Sequence, residues 1–190
     1  LVVDCCGVKR SICKLMEDLA RIYRFHFIGG HPMAGRECSG FESATSDLFA
    51  RASMLLTPFQ GEDPAVIARA ESLFAEMGFA RVIVTTPEKH DEIIALTSQL
   101  AHVVSNAYVK SARAQEHRGF SAGSFADLTR VAKLDERLWA ELFLDNRDYL
   151  VREIDDLLDA LRKYRKAIAR NDAQELCALL RAGRECKESL

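Results

Sequence analysis

A chain of 190 residues with 26 basic and 28 acidic side chains carries a formal charge of −2, which gives no net pull toward nucleic acid or an anionic membrane. Its content, 48% hydrophobic and 28% charged, is that of a folded chain with room for one large domain or two small ones. No apolar run nears the ~20 residues of a membrane span. The six cysteines, Cys5, Cys6, Cys13, Cys38, Cys177 and Cys186, show no C-x-x-C spacing, so a zinc ribbon or thioredoxin-like site is disfavoured and reduced thiols are expected.

The opening Leu1-Val2-Val3-Asp4 lacks the basic start of a signal peptide and reads as the end of a buried strand, so upstream sequence is expected. Ser11 to Tyr23 places Ile12, Leu15, Met16, Leu19 and Ile22 on one helical face. Phe25 to Ile28 reads as a short strand ended by Gly29-Gly30, and Ser53 to Thr57 as a strand stopped by Pro58. Pro64 opens a helix that Gly78 terminates, and Arg81 to Val84 is the next strand. This alternation predicts the later strands of a parallel or mixed sheet. Thr86-Pro87-Glu88 then combines an N-cap, a proline at the first helical position and an acid in the first turn. From there the chain reads as helical, beginning with a helix from Pro87 to about Lys110. A boundary near 86 divides an α/β part, 1–85, from an all-α part, 86–190. In Asp148 to Ala169, residues Leu150, Ile154, Leu157, Leu161, Tyr164 and Ile168 step by 4, 3, 4, 3, 4, a heptad seam suited to packing within one subunit or against a partner. Asn171-Asp172 breaks that helix, and Asp172 with Glu175 forms a capping box for the last one.

Three stretches could carry chemistry. Gly29-Gly30-His31-Pro32-Met33-Ala34-Gly35 follows a strand, at the edge where open α/β sheets bind ligands. His31 is there a presented imidazole able to take a proton. The glycines would let backbone approach a ligand. Ser98, His102 and Asn106 recur every four residues on a helix face bordered by Gln99, suited to lining a cleft or to satisfying a core histidine. Gly119 to Arg130 is a Gly/Ser-rich turn entering a helix, with Arg130 within its first turns, where it could hold a carboxylate or instead pair with Asp127. His90-Asp91 reads as structural, His26 as packed within a strand, and His117 as an exposed loop residue. No G-x-G-x-x-G, P-loop, metal cluster or G-x-S-x-G elbow occurs.

Taken together, Asp4 to Lys9, Gly29 to Gly35 with Glu37 and Ser39-Gly40, Leu55-Thr57-Pro58, His90-Asp91, Ser98 to His102, Asp127-Leu128-Thr129-Arg130-Val131-Ala132-Lys133, Trp139 and Leu142 to Asn146 resemble the prephenate dehydrogenase family. The resemblance implies the later part of a Rossmann domain over 1–85 and a helical dimerisation domain over 86–190, with the glycine-rich cofactor loop upstream of Leu1. It implies a cytoplasmic homodimer that converts prephenate to 4-hydroxyphenylpyruvate by oxidative decarboxylation, using NAD or NADP, with NAD favoured. His31 would take the ring hydroxyl proton. Arg130 and His102, with Gln99 and Gly123, would line the substrate pocket, and Gly7 and Val8 would border the cofactor. Many members carry serine at the place of Gly7 and histidine at that of Gln99. Arogenate as substrate, another hydroxy acid, a non-catalytic tyrosine-binding module, and feedback inhibition by L-tyrosine all stay open.

Overall fold

Two compact units, Leu1–Leu150 and Val151–Leu190, make up the chain in the computed structural model, which describes residues 1–35 and 40–190. Cys38, and the Glu37 and Ser39 of the resemblance, lie outside the described residues. In the first unit β1 (Val2–Val3), β2 (Phe27–Pro32), β3 (Ser53–Pro58) and β4 (Arg81–Val84) form one sheet in that order. The pairs β1–β2 and β3–β4 are parallel and β2–β3 is antiparallel, so the sheet is mixed. The two parallel pairs need crossovers, supplied by α1 (Arg10–Tyr23) and α2 (Pro64–Glu76).

Local chemistry accounts for the element ends. Asp63 caps α2 by accepting from the Ala65 N–H at 2.8 Å, with Pro64 at the first helical position, and Gly78 at φ +94° turns the chain out of the helix. Ile28, Met54 and Leu56 of the sheet pack on Ala70 and Phe74 of α2 and on Phe79, and Phe49 stacks on Phe79 with ring centroids 4.4 Å apart.

The structure departs from the sequence reading in three places here. First, β2 begins at Phe27 and not at Phe25. Second, β2 does not end at Ile28. It runs on through Gly29, Gly30, His31 and Pro32, because β3 supplies an antiparallel partner that sets Gly29 opposite Thr57 and His31 opposite Leu55. Gly29 and Gly30 therefore serve internal packing, not approach to a ligand. A Cβ on Gly29 would lie 2.2 Å from Thr57 Oγ1, and one on Gly30 would lie 2.4 Å from the Asp4 carbonyl oxygen. Third, His26 sits just before β2, exposed, with Nδ1 2.9 Å from Glu62 Oε1.

The helix expected from Pro87 to about Lys110 is interrupted. α3 (Pro87–Ile94), capped by Thr86 Oγ1 accepting from the Lys89 N–H, passes into a π-helical segment, Ala95–Leu100, and then α4 (Ala101–Tyr108). The widened turn accompanies an inward Gln99, whose amide nitrogen donates to the Leu142 carbonyl at 3.0 Å and whose oxygen accepts from Asn146 Nδ2 at 2.8 Å. These buried bonds offset the poorer helix geometry. α5 (Gly123–Thr129) is short, so Arg130 stands at its C-cap and not within the first turns. α6 (Glu136–Asp145) is capped by Asp135, and α7 (Arg147–Ala169) follows.

In the second unit the later turns of α7 and α8 (Ala173–Glu188) are separated by Asn171 at φ +51° and by Asp172, which accepts from the Glu175 N–H. Tyr164 Oη donates to the Leu179 carbonyl at 3.2 Å. The heptad seam is only partly covered: Leu161 and Ile168 stay exposed. Among the described residues no helix is long and apolar enough to cross a membrane.

Candidate active site

His31 lies near the end of β2, partly buried, and its imidazole is tied to a residue 59 positions away. Its Nδ1 is 2.8 Å from His90 Nε2, and His90 Nδ1 is 2.7 Å from Asp91 Oδ1. His90 and Asp91, on the first turns of α3, are buried. Asp91 is a hub. Its carboxylate also accepts from the backbone N–H of Lys9 at 2.8 Å and of Arg10 at 2.9 Å, and from Arg10 Nε at 3.3 Å. Burial pushes its pKa up, but the bond from His90 and those from the Arg10 and Lys9 backbone outweigh it and hold the carboxyl below its usual range.

A second charged pair lies beneath the same strand. Lys9 is fully buried, and its Nζ donates to Asp4 Oδ2 and to the Gly30 carbonyl. Asp4 Oδ1 in turn accepts from the Gly30 N–H at 2.8 Å, and its other oxygen accepts from the Cys6 N–H at 2.8 Å. The backbone of Gly30 is thus gripped on both sides immediately before His31. Burial works against ionised Asp4 also, yet these donors keep its pKa lowered. For His31 the balance goes the other way. Burial, then repulsion from His90 and Lys9, lowers its pKa to about 4 despite Asp4 and Asp91. At neutral pH the ring is an uncharged base.

The other anticipated residues are placed as follows. His102 donates from Nδ1 to the Ser98 carbonyl at 2.9 Å, because a carbonyl oxygen can only accept. Its ring stacks on Trp139 with centroids 3.7 Å apart. Asn106, the third member of that face, donates to the Ala132 carbonyl at 3.1 Å and ties α4 to the segment after α5. Gln99 is buried, and its amide is spent on Leu142 and Asn146; Asn146 also donates to the Asp91 carbonyl at 2.8 Å, which joins Gln99 to the histidine hub. Arg130 and Gly123 are exposed at the two ends of α5. His117 is half-buried, bonded to Ser121 Oγ and stacked on Phe125. Val8 is in the core; Gly7, in the loop after β1, would bring a Cβ within 3.2 Å of Leu142 Cδ2.

Sequence reasoning gave no role to Lys9 or Asp4 and took His90 and Asp91 as structural. Their contacts beyond immediate neighbours, Lys9 to Gly30 and to Asp91 and His31 to His90, span sequence separations of 21 to 82 residues, which no local spacing announces. The available signal was chemical: a lysine four residues before the apolar face of α1 begins to be buried, and a His-Asp pair at a helix start. Among the described residues no group of three or more His, Cys, Asp or Glu could hold a metal ion.

A mixed sheet that carries a relayed histidine near the end of an inner strand, followed by helices, defines an α/β part succeeded by an all-α part. Residues 1–84 match the family model described as prephenate dehydrogenase, nucleotide-binding domain, and residues 86–182 match prephenate dehydrogenase, dimerization domain. The chain belongs to the prephenate dehydrogenase family. It is 29% identical over 195 residues to the prephenate dehydrogenase of Bacillus subtilis (strain 168), covering all of this chain and 52% of that protein. It is 33% identical over 183 residues to the cyclohexadienyl dehydrogenase of Zymomonas mobilis, covering 93% of this chain and 61% of that protein. Among solved structures, prephenate dehydrogenase from A. aeolicus in complex with hydroxyphenyl propionate and NAD+ matches with a TM-score of 0.83 at 29% identity, over 99% of this chain and 66% of that one. The chain spans 52% to 61% of the length of these two curated relatives.

Proposed function

We propose that this chain is the substrate-binding and dimer-forming part of an enzyme that oxidatively decarboxylates prephenate to 4-hydroxyphenylpyruvate with hydride transfer to NAD+ or NADP+. The observation that carries the reading is the neutral His31, held near the end of β2 by a contact through Nδ1. Prephenate bears a hydroxyl on a ring carbon that also carries the departing hydride. As the hydride leaves, the hydroxyl proton passes to His31 and a carbonyl forms. Loss of the ring carboxylate as carbon dioxide then sends an electron pair through the ring to that oxygen, which takes the proton back as a phenol. The reaction releases no net proton, so an uncharged imidazole that takes one transiently and returns it balances the chemistry. The dinucleotide, when bound, accepts the hydride.

The remaining assignments follow the chemistry of a dianionic substrate, which needs a fixed cation and further donors or acceptors. Arg130 holds a carboxylate, His102 presents its ring from a stack on Trp139, and Gly123 leaves the entrance of α5 open. Gln99 acts from beneath, through Asn146, as a positioning residue. The residues present fit the nicotinamide end of a dinucleotide only. Gly7 and the Val8 backbone occupy the loop at the C-terminal end of β1, where open α/β sheets bind ligands, while a pyrophosphate cradle is not among these 190 residues. We place the division between the two functional parts near residue 86. NAD is favoured over NADP, the protein works as a cytoplasmic homodimer, and the exposed apolar Leu158, Leu161, Ile168 and Leu180 support contact with a second copy.

The test measures reduced-cofactor absorbance with the full-length gene product, given prephenate or arogenate, each with NAD+ or NADP+, with and without L-tyrosine. Turnover that falls by about 10²–10⁴-fold in His31→Asn supports the assignment. Undiminished turnover in that variant removes His31 from the chemistry. No turnover on either substrate by a folded dimer points to a tyrosine-binding module or to another hydroxy acid.

A further inference from the structure

The three-residue chain Asp91, His90, His31 is joined by two ring-nitrogen contacts. An ionised carboxylate only accepts, so the bond at 2.7 Å places a proton on His90 Nδ1. If His90 carries no second proton, its lone pair lies on Nε2, and the proton in the 2.8 Å contact to His31 Nδ1 belongs to His31. We propose that at pH 7 His90 is uncharged and that it and Asp91 are positioning residues that lock His31 as its Nδ1–H tautomer, so that Nε2 is the basic nitrogen. The proposal rests on His31 being the proton acceptor of the reaction above, but the tautomer is a property of the chain itself.

Three observations support it. Asp91 cannot easily rotate or change its charge, because three further N–H groups from Lys9 and Arg10 point at its oxygens. The His90 ring is buried and cannot swap its nitrogens without leaving Asp91. His31 is fixed from the other side by the clamp of Asp4 and Lys9 on Gly30. Gly7, in the loop after β1, has no side chain to orient His31, so the orientation comes from α3. When His31 takes a proton on Nε2, its Nδ1–H stays donated to His90, and the ionised Asp91 behind stabilises the transient charge. No proton has to travel to Asp91.

Histidine-ring nitrogen NMR on this chain at pH 7 tests the inference directly. The expected spectrum has His31 protonated on Nδ1 and unprotonated on Nε2. In His90→Leu it should revert to the Nε2–H form that dominates free neutral imidazole, and in His90→Gln, whose amide oxygen can stand in for the His90 acceptor, the Nδ1–H form should persist. In the full-length enzyme His90→Leu should lower kcat about 10–100-fold, less than the ~10²–10⁴-fold contribution of the base itself, with KM changed less than about threefold, and His90→Gln should regain most of it. A parent spectrum with His31 protonated on Nε2 overturns the proposal without any variant, as does a His31 tautomer indifferent to His90→Leu. The expected spectra together with an enzyme inactive on prephenate and arogenate would leave the relay standing and remove only the dehydrogenase reading.

Discussion

Replacing Lys9 by methionine removes one buried charge and nearly nothing else, since methionine fills much the same volume as the lysine stem. The Lys9 side chain is 0% exposed, and its Nζ serves Asp4 Oδ2 and the Gly30 carbonyl. Breaking a buried pair by deleting one partner costs about 3–5 kcal/mol, because the other charge is stranded. Asp4 keeps the Gly30 and Cys6 N–H groups, each at 2.8 Å, and is 14% exposed, so the low end applies, about 3 kcal/mol. That is a large share of the ~5–15 kcal/mol stability of a domain. The loss should depend on pH. In the parent, the lowered pKa of Asp4 means that its contribution is present above the unfolded carboxyl pKa and is lost as pH falls through the folded value. Without Lys9, Asp4 protonates at higher pH and the variant is relieved earlier. Losing the Lys9 charge also lets His31 protonate more readily in the folded state, which acts in the same direction. Urea titrations at pH 7.5 and 4.5 should therefore show a gap between parent and variant that narrows toward acid. A gap below about 1 kcal/mol at pH 7.5, or one that widens at pH 4.5, would refute the account of Lys9 as the cation that holds Asp4.

The glycines of the His31 segment should not be equivalent. Gly30→Ala places a Cβ 2.4 Å from backbone and should cost about 1–3 kcal/mol or more, whereas Gly35→Ala meets nothing within 4 Å and should be near neutral; equal urea midpoints for the two would contradict the packing role. The pKa of about 4 for folded His31 lies below that of the unfolded residue. The unfolded chain therefore binds the proton first, and stability is full above about pH 6.5 and declines toward pH 4, by at most on the order of 3 kcal/mol. A His31→Gln variant whose stability falls equally steeply over that range would exclude His31 as the source. Gln99→Leu strands the Leu142 carbonyl and one Asn146 bond and should destabilise by about 1–3 kcal/mol, checked by thermal unfolding. Trp139 is the only tryptophan, so its emission should change in His102→Ala; an unaltered spectrum would argue against the 3.7 Å stack.

Much of the fold was legible because its boundaries are local events. Asp63-Pro64, Thr86-Pro87, Gly78 and Asn171-Asp172 start or stop helices through caps and backbone angles set by a few adjacent residues. β4 falls on the four residues that the apolar run marks. His31 was singled out by its motif, as were Gln99, His102 and Arg130. What the motif hid was its own conformation. Two consecutive glycines read as the end of a strand, yet β3 pairs across them and the missing side chains make room for Thr57, Met54 and the Asp4 carbonyl. Arg130 was set early in a helix because nothing local tells a seven-residue helix from a longer one.

The amino-acid sequence by itself therefore determined where most elements begin and end, the order α/β then all-α, and the imidazole at position 31, since each depends on neighbours along the chain. Tertiary structure decided that β2 extends through that imidazole, that a π turn carries Gln99 inward, and that His90, Asp91, Lys9 and Asp4 converge on His31. The reason is the range of the interactions. Caps and turns act over three or four residues, whereas a buried charge or a ring nitrogen is satisfied by whatever group folding brings within 3 Å, and here those groups come from as far as 82 residues away.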